Sequence, residues 1–230
     1  MFDFRRLFSN NSALLQAQLI VVVCGVFSQY ILSNNMEISS YGLLILIIDL
    51  CLTFSILIDF GLPTWGLRNW DGREESAIPH MTRVMRIQIP IALFLIPIIA
   101  VISILLLPKS DIFYVISIMI SVSFISLSEP LRVGLRMIGR VELEAISRSL
   151  ERVLVTFSYW AIAKMEMLDI GAASLALLLS SAITWLLVIL MASVIFRENK
   201  SGRLIYNLLL KKDETKDLGN FEVMKKSFPF

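Results

Sequence analysis

The chain has 230 residues, of which 57% are hydrophobic and only 17% are charged, and its formal net charge is +2. This composition excludes an ordinary soluble domain of the same length, and the mean hydropathy of +0.76 is typical of a polytopic membrane protein. The apolar run that follows residues 1–6 has no small-residue cleavage site, so it is interpreted as a spanning segment and not as a signal peptide.

Six stretches are long and apolar enough to cross about 30 Å of hydrocarbon as helices. In chain order these predicted spans are Leu14–Ser33, Tyr41–Phe60, Ile87–Leu107, Ile112–Leu131, Glu144–Ala163 and Gly171–Val194. Alternate crossing places all of the 21 Lys and Arg residues except Lys109 and Lys164 on one side of the membrane. Because Lys and Arg resist translocation, that side is predicted to be cytoplasmic, with both termini there. The predicted fold class is therefore all-α, a single lobe of six transmembrane helices.

Proline and glycine mark the ends and bends of these helices. The fourth span contains Glu129-Pro130 and is predicted to continue through the proline with a kink, because neighbouring helices can satisfy the freed carbonyl. Gly61-Leu62-Pro63 is predicted to end or bend the second helix before a longer cytoplasmic connection, 68–86. The short external connections predict antiparallel hairpins between helices one and two, three and four, and five and six.

The fifth span carries charges into the bilayer. Its uncharged part, Val153–Ala163, is too short to cross, but the distribution of positive charge requires a crossing. Arg148, Glu151 and Arg152 then lie within the membrane on one helical face, and Asp49 lies near the middle of the second helix. We expect these four residues to line one aqueous, substrate-binding cavity. The alternative is a structural role, with Glu151 and Arg152 paired and Arg148 reaching the headgroups.

Other ionisable side chains are predicted near the inner boundary of the membrane. Asp59, Glu129 and Arg132 are candidates for an inner gate. For Arg132, Arg136 and Arg140, the favoured location is a solvated or lipid-facing inner surface, where they set topology and contact anionic lipids.

The residues needed for catalysis or metal binding are scarce. Cys24 and Cys51 are isolated in apolar segments and are predicted to be free thiols, and His80 is the only histidine. Neither a metal-ligand spacing nor a Ser/His/Asp set can be assembled, and there is no phosphate-binding glycine-rich loop. We therefore expect no enzyme activity, cofactor, metal or nucleic-acid partner.

Three short motifs carry a resemblance to a known family. They are Glu37-Ile-Ser-Ser-Tyr41-Gly42, Asp59-Phe60-Gly61-Leu62, and the stretch from Glu129-Pro130-Leu131 to Gly139-Arg140 before the charged fifth helix. With the order and spacing of the six helices, they resemble the oligosaccharide (O-antigen, polysaccharide) flippases. This family belongs to the MATE-like (MOP) superfamily, which also includes the peptidoglycan lipid flippases.

The resemblance implies a transporter of the bacterial inner (plasma) membrane. Such proteins have two facing six-helix lobes and move lipid-linked, polyprenyl-pyrophosphate oligosaccharide repeat units to the external leaflet by alternating access, in O-antigen and lipopolysaccharide biosynthesis. Arg148 and Arg152 would supply the cationic charge of the cavity. The implied partners are the lipid bilayer, the lipid-linked oligosaccharide, a second lobe or homodimer, and polysaccharide assembly enzymes.

By this resemblance the chain corresponds to the N-terminal half of a flippase. Residues 1–196 would form the lobe, and 197–230 an amphipathic and polar cytoplasmic tail that leads toward a seventh helix. Two alternatives stay open. One is a MATE-type exporter of small organic cations, in which Asp49 and Glu151 would dominate the site. The other is a non-transporting membrane fragment or interaction module.

Overall fold

The computed structural model describes residues 4–106 and 112–198, which form helices joined by short turns, with no strand among them. The helices are α1 (Phe4–Asn35), α2 (Ile38–Asp59), α3 (Leu62–Arg68), α4 (Glu74–Leu106), α5 (Ile112–Met137), α6 (Val141–Lys164) and α7 (Ile170–Glu198). The all-α prediction is confirmed for this part of the chain. The predicted tail lies outside the described residues from position 199 onward.

Within the described residues, five helical segments are long and apolar enough to cross a membrane. They are Leu14–Asn35, Ile38–Arg68, Ser76–Ser103, Ile112–Met137 and Ile170–Ile195. Helix α6 has 24 residues, about 36 Å at 1.5 Å per residue, so it is also long enough to cross. It differs from the other five in degree, because it carries six charged side chains along its length. The membrane-helix class is thus confirmed, whereas a sixth crossing and the orientation stay predictions.

Helix α5 is the centre of the bundle. It packs against α4, α7, α2 and α6 and continues through Pro130, as predicted. Small side chains on a helix let neighbouring backbones approach closely. The buried serines of α5 are Ser117, Ser121, Ser123, Ser126 and Ser128. One of them forms a hydrogen bond between helices: Ser121 Oγ donates to the Leu177 carbonyl of α7 at 3.2 Å.

Helix α1 packs along α6 and shares few contacts with α2. The Ser28 and Thr156 hydroxyls are 2.8 Å apart across this interface, and Thr156 also donates to the Cys24 carbonyl at 3.1 Å. The predicted hairpin of the first two helices is therefore wrong, although α4–α5 and α6–α7 do pack as predicted. The short turn at 36–37 brings two helix ends together but does not dictate which faces pack.

The segment between α2 and α4 is more helical than predicted. Phe60 and Gly61 have left-handed backbone (φ 44° and 70°), which ends α2 and lets α3 begin with a proline in its first turn. Because α4 already begins at Glu74, most of the predicted connection 68–86 is helix and not loop. His80 lies on α4, with Nε2 3.0 Å from the Gly66 carbonyl of α3.

Candidate functional site: an Arg–Glu ladder beside a cavity

A tight turn joins α5 to α6. Gly139 has φ 74°, and its N–H donates to the Arg136 carbonyl at 3.0 Å. The next N–H, that of Arg140, reaches back to the Leu135 carbonyl at 2.9 Å. These bonds form the Schellman motif with which helices commonly end at a glycine. The chain therefore reverses at once, and the end of α5 lies against the start of α6.

Charged residues face each other across this helix pair. Helix α5 carries Glu129, Arg132 and Arg136 at i, i+3 and i+7, and α6 carries Glu144, Arg148 and Glu151 at i, i+4 and i+7. Both spacings keep the side chains on one helical face. We call these residues the Arg–Glu ladder.

The ladder is connected by short ion pairs. Arg132 bridges the two helices, with Nη2 2.6 Å from Glu151 Oε2 and Nη1 2.9 Å from Glu129 Oε1. A second bridge between the helices is the ion pair of Arg148 on α6 with Glu129 on α5, whose Nη2 and Oε2 atoms are 2.6 Å apart. Glu144 receives Arg136 Nε at 2.7 Å and Arg148 Nε at 3.3 Å. Each carboxylate therefore has at least one guanidinium partner, and the ladder is neutral.

Burial makes this arrangement unusual. Arg132 is 2% exposed, Glu144 0% and Glu151 5%. Ions removed from water lose several kcal/mol of solvation each, which only close opposite charges and hydrogen bonds offset. The ladder supplies both, although Arg132 Nε is buried without a hydrogen-bond partner. The ladder thus joins α5 to α6 through charges that depend on one another.

A cavity of about 610 Å³ lies between α1 and the ladder. It has one charged wall and one largely apolar wall. The lining residues are Leu14, Leu15, Ala17, Gln18 and Val21 of α1, Arg136 of α5, and Glu144 and Arg148 of α6. Such a cavity can accept a molecule that combines an anionic or hydrogen-bonding group with an aliphatic part.

The structure separates the four residues that were expected to line one cavity. Arg148 does line the cavity, but Glu151 is buried against Arg132. Arg152 and Asp49 are exposed on the described lobe, and neither side chain has an ion pair among the described residues. Helix α2 packs against α5 and α4, whereas α6 packs against α1 and α7, so Asp49 is not brought to the α6 charges.

The three predicted gate residues lie in two neighbouring groups. Glu129 and Arg132 belong to the ladder, and Asp59 contacts Gln88 of α4, with Oδ1 and Nε2 3.4 Å apart. The favoured surface location is wrong for Arg132, which is buried. Arg136 is exposed, in line with that interpretation, and it also pairs with Glu144.

Arg140 is exposed, as that interpretation expected. Sequence reasoning missed Arg136 and Glu144 as members of the site. The spacing of Glu129, Arg132 and Arg136 on one face of α5 was the available signal.

The remaining candidates for chemistry are dispersed. Cys24 and Cys51 are free thiols, which confirms that prediction. Among the described residues, no three His, Cys, Asp or Glu side chains are grouped so that they could hold a metal ion.

Comparisons with models of protein families, with curated proteins and with solved structures find no match to this chain. The description that the structure supports is that of an all-helical, multi-pass membrane protein with a charged helix pair beside an amphipathic cavity.

Proposed function

We propose that this chain is one lobe of a flippase that moves lipid-linked, polyprenyl-pyrophosphate oligosaccharide across the plasma membrane by alternating access. The observation that carries the proposal is the cavity beside the ladder. Arg136 and Arg148 offer guanidinium groups to a pyrophosphate, while Leu14, Leu15 and Val21 of α1 offer an aliphatic wall. Arginine binds phosphate oxygens through paired, charge-assisted hydrogen bonds.

The topology that suits this function has six crossings, with α6 included and both termini cytoplasmic. Its support is the length of α6 and the side to which the Lys and Arg residues are assigned. In that orientation the α5–α6 turn and the cavity lie in the inner part of the membrane. A substrate made in the cytoplasm would therefore meet Arg148 first from the inner leaflet.

The ladder gives the site a means to respond to an anion. Arg148 is held by Glu129 and Glu144, so a pyrophosphate that binds it competes with two carboxylates. When those ion pairs break, Glu129 and Glu144 lose one of their positive partners, and the electrostatic interactions of the other ladder residues change with them. The ion pair of Arg132 with Glu151 is one of these. Alternating access would further need a second six-helix lobe, on the same or another polypeptide, as the opposite wall of the cavity.

A MATE-type exporter of small organic cations is the second candidate. One observation favours it: Asp49 is an exposed carboxylate within the second span and has no ion pair in the part of the chain that the structure describes. An intramembrane acid of this kind attracts a cation. A non-transporting interaction module is the third candidate. It predicts that neither Arg148 nor Asp49 binds a specific ligand.

Direct binding separates these candidates. The full chain is purified into lipid nanodiscs and titrated with a polyprenyl pyrophosphate, with the polyprenol of the same length, and with a quaternary ammonium compound. The flippase proposal expects the pyrophosphate to bind roughly tenfold or more tightly than the alcohol, since paired arginine–phosphate bonds contribute at least 1.4 kcal/mol. Arg148→Ala should remove this preference, while Arg140→Ala, a change of an exposed arginine on the same turn, should keep it.

Two outcomes would reject the proposal. Equal affinity for the alcohol and the pyrophosphate would show that the cavity does not recognise phosphate. Tight binding of the quaternary ammonium compound that is lost in Asp49→Asn would favour the cation exporter instead.

A further inference from the structure

The cavity beside the ladder has its polar and apolar ends at different depths in the membrane. On α1, its lining begins at Leu14, where the candidate span begins, and reaches Val21, seven residues or about 10 Å deeper. Arg136 precedes the last residue of α5, and Arg148 lies about two turns into α6. The arginines therefore lie toward the end of the bundle at the α5–α6 turn, and the aliphatic lining extends from there toward the bilayer centre.

Leu15 connects this cavity to the surrounding bilayer. It lines the cavity, it belongs to the candidate span Leu14–Asn35, and it is 71% exposed. Leu19, one turn farther along α1, is 67% exposed. Exposed apolar side chains of a spanning helix contact the acyl chains of lipids. A lipid of the leaflet on the side of the α5–α6 turn, called here the adjacent leaflet, can therefore enter the cavity along α1.

The two cavity arginines keep hydrogen-bond donors that the ladder does not use. Arg136 bonds to Glu144 through Nε and Nη2, and Arg148 bonds to Glu144 through Nε and to Glu129 through Nη2. The Nη1 group of each carries two N–H donors and has no hydrogen-bond partner among the residues that the structure describes. The two side chains are 43% and 36% exposed, so these donors remain accessible to a ligand in the cavity.

Gln18 is the polar residue of the apolar wall. It lines the cavity four residues after Leu14, about 6 Å into the span, and one turn before Val21. Its side-chain amide has no hydrogen bond within residues 4–106 and 112–198. An amide without a partner is unfavourable in hydrocarbon, so Gln18 favours a ligand that brings a polar group to this depth. The ester carbonyl of a glycerolipid, which lies just below the phosphate, is such a group.

We propose that the cavity binds one anionic glycerophospholipid of the adjacent leaflet, such as phosphatidylglycerol. Its phosphodiester accepts hydrogen bonds from Arg136 and Arg148, its ester carbonyl accepts one from the Gln18 amide, and its acyl chain lies along Val21. The order of phosphate, ester and acyl chain in the lipid matches the order of these lining residues from the α5–α6 turn inward. Basic pockets between transmembrane helices are known sites for anionic headgroups.

The phospholipid site does not rest on the proposed function, since phospholipid binding is measured without a polyprenyl substrate. The two ligands share a phosphate group and an aliphatic chain, but polyprenyl pyrophosphate has no glycerol ester. The contact with Gln18 therefore belongs to the phospholipid alone and separates the two proposals experimentally. If both proposals hold, the phospholipid occupies the cavity until the substrate displaces it.

Native mass spectrometry of the purified full chain in detergent tests the proposal, because it counts the lipids bound to each protein. The delipidated chain is titrated with phosphatidylglycerol, with phosphatidylcholine of the same acyl chains, and with glycerol 3-phosphate, which has no acyl chain. Phosphatidylglycerol should bind roughly tenfold or more tightly than phosphatidylcholine, whose choline cation is repelled by the arginines. Glycerol 3-phosphate should also bind at least about tenfold more weakly, since it makes no contact with the aliphatic wall.

Two variants with matched controls locate the site. Arg148→Ala should remove the preference for phosphatidylglycerol, whereas Arg140→Ala changes an exposed arginine outside the cavity lining and should keep it. Gln18→Leu leaves the ladder intact, so it provides a folded variant if Arg148→Ala does not fold. It should weaken phosphatidylglycerol binding roughly fivefold, as expected for one hydrogen bond, and leave polyprenyl pyrophosphate binding unchanged. Its control is Gln16→Leu, which changes an exposed glutamine of α1 outside the lining.

The outcomes are distinct. A preference for phosphatidylglycerol that Arg148→Ala and Gln18→Leu reduce and both controls keep supports the phospholipid site. Equal affinity for the two phospholipids, or a preference that Gln18→Leu keeps in full, overturns it. Glycerol 3-phosphate binding as tight as that of phosphatidylglycerol also overturns it and identifies a site for a free phosphate ester. Polyprenyl pyrophosphate binding without phosphatidylglycerol binding rejects this site alone, and the reverse result rejects only the proposed function.

Discussion

Arg132 Nη2 and Glu151 Oε2 lie 2.6 Å apart and join α5 to α6 with side chains that are only 2% and 7% exposed. Arg132 has a second carboxylate partner in Glu129, whereas Glu151 has Arg132 alone among the ion pairs of the described residues. The two partners therefore depend on each other to different degrees. Without Glu151, the buried Arg132 guanidinium still has one counter-charge, whereas without Arg132 the Glu151 carboxylate has none.

Glu151→Gln should lower the free energy of unfolding by about 3 kcal/mol, the lower end of the range for breaking a buried ion pair, because Glu129 still neutralises Arg132 in part. Denaturant unfolding in detergent micelles measures the change. Glu142→Gln is the matched control, since Glu142 is an exposed acid in the first turn of the same helix. A Glu151→Gln protein that unfolds like the control would show that the pair contributes nothing to stability.

A double variant tests the cause of that loss. When both partners become apolar, no buried charge is left unpaired, so Arg132→Met with Glu151→Met should recover at least half of the stability lost in Glu151→Gln. Glu129 keeps Arg148 as its partner in this variant. A double variant less stable than Glu151→Gln would indicate that the charges themselves are needed to pack α5 on α6.

Two glycines in helices should respond in opposite directions to alanine. A Cβ at Gly66 of α3 would come within 3.0 Å of Val84 Cγ2 and 3.1 Å of Met81 Cε on α4. Gly66→Ala should therefore lower the free energy of unfolding by about 1–3 kcal/mol through overpacking. Gly42 of α2 has nothing within 4 Å of the same position, so Gly42→Ala should raise it by roughly 0.5–1 kcal/mol through helix propensity.

Thermal unfolding of both glycine variants checks this pair. If Gly66→Ala raised the stability as Gly42→Ala is expected to do, α3 would not be packed closely on α4, and the bond between His80 and Gly66 would not position that helix.

Adjacent positions on α6 should differ sharply in thiol accessibility. In a background with Cys24→Ala and Cys51→Ala, an impermeant maleimide should modify Arg152→Cys at least about tenfold faster than Glu151→Cys, because Arg152 is exposed and Glu151 is 5% exposed. Asn35→Cys, at the turn between α1 and α2, is the positive control.

The labelling rates also report on water. If Asn35→Cys reacts but Arg152→Cys does not, Arg152 faces lipid, and its expected role in an aqueous cavity is wrong. If both α6 positions react equally, Glu151 is not buried against Arg132 in the membrane.

The sequence by itself determined the helices. In a membrane, each crossing segment must satisfy its backbone hydrogen bonds within itself, so hydropathy along the chain is sufficient to locate five of the helices, and the distribution of positive charge pointed to α6. All six predicted spans accordingly overlap long helices, including α6, whose charges lower its hydropathy. The end of α2 was also readable from Gly61 and Pro63, because their backbone preferences are local.

Only the tertiary structure decided which charges are partners. Depth within a helix follows from residue number, but the neighbours of a helix depend on side-chain packing around α5. Asp49 and Arg152 were expected to share a cavity and lie on helices with different neighbours. Arg132 was expected at a surface, yet the glycine turn at 139 folds α6 onto α5 and buries it against Glu151. Sequence spacing shows which charged residues share a face, whereas helix packing determines what that face contacts.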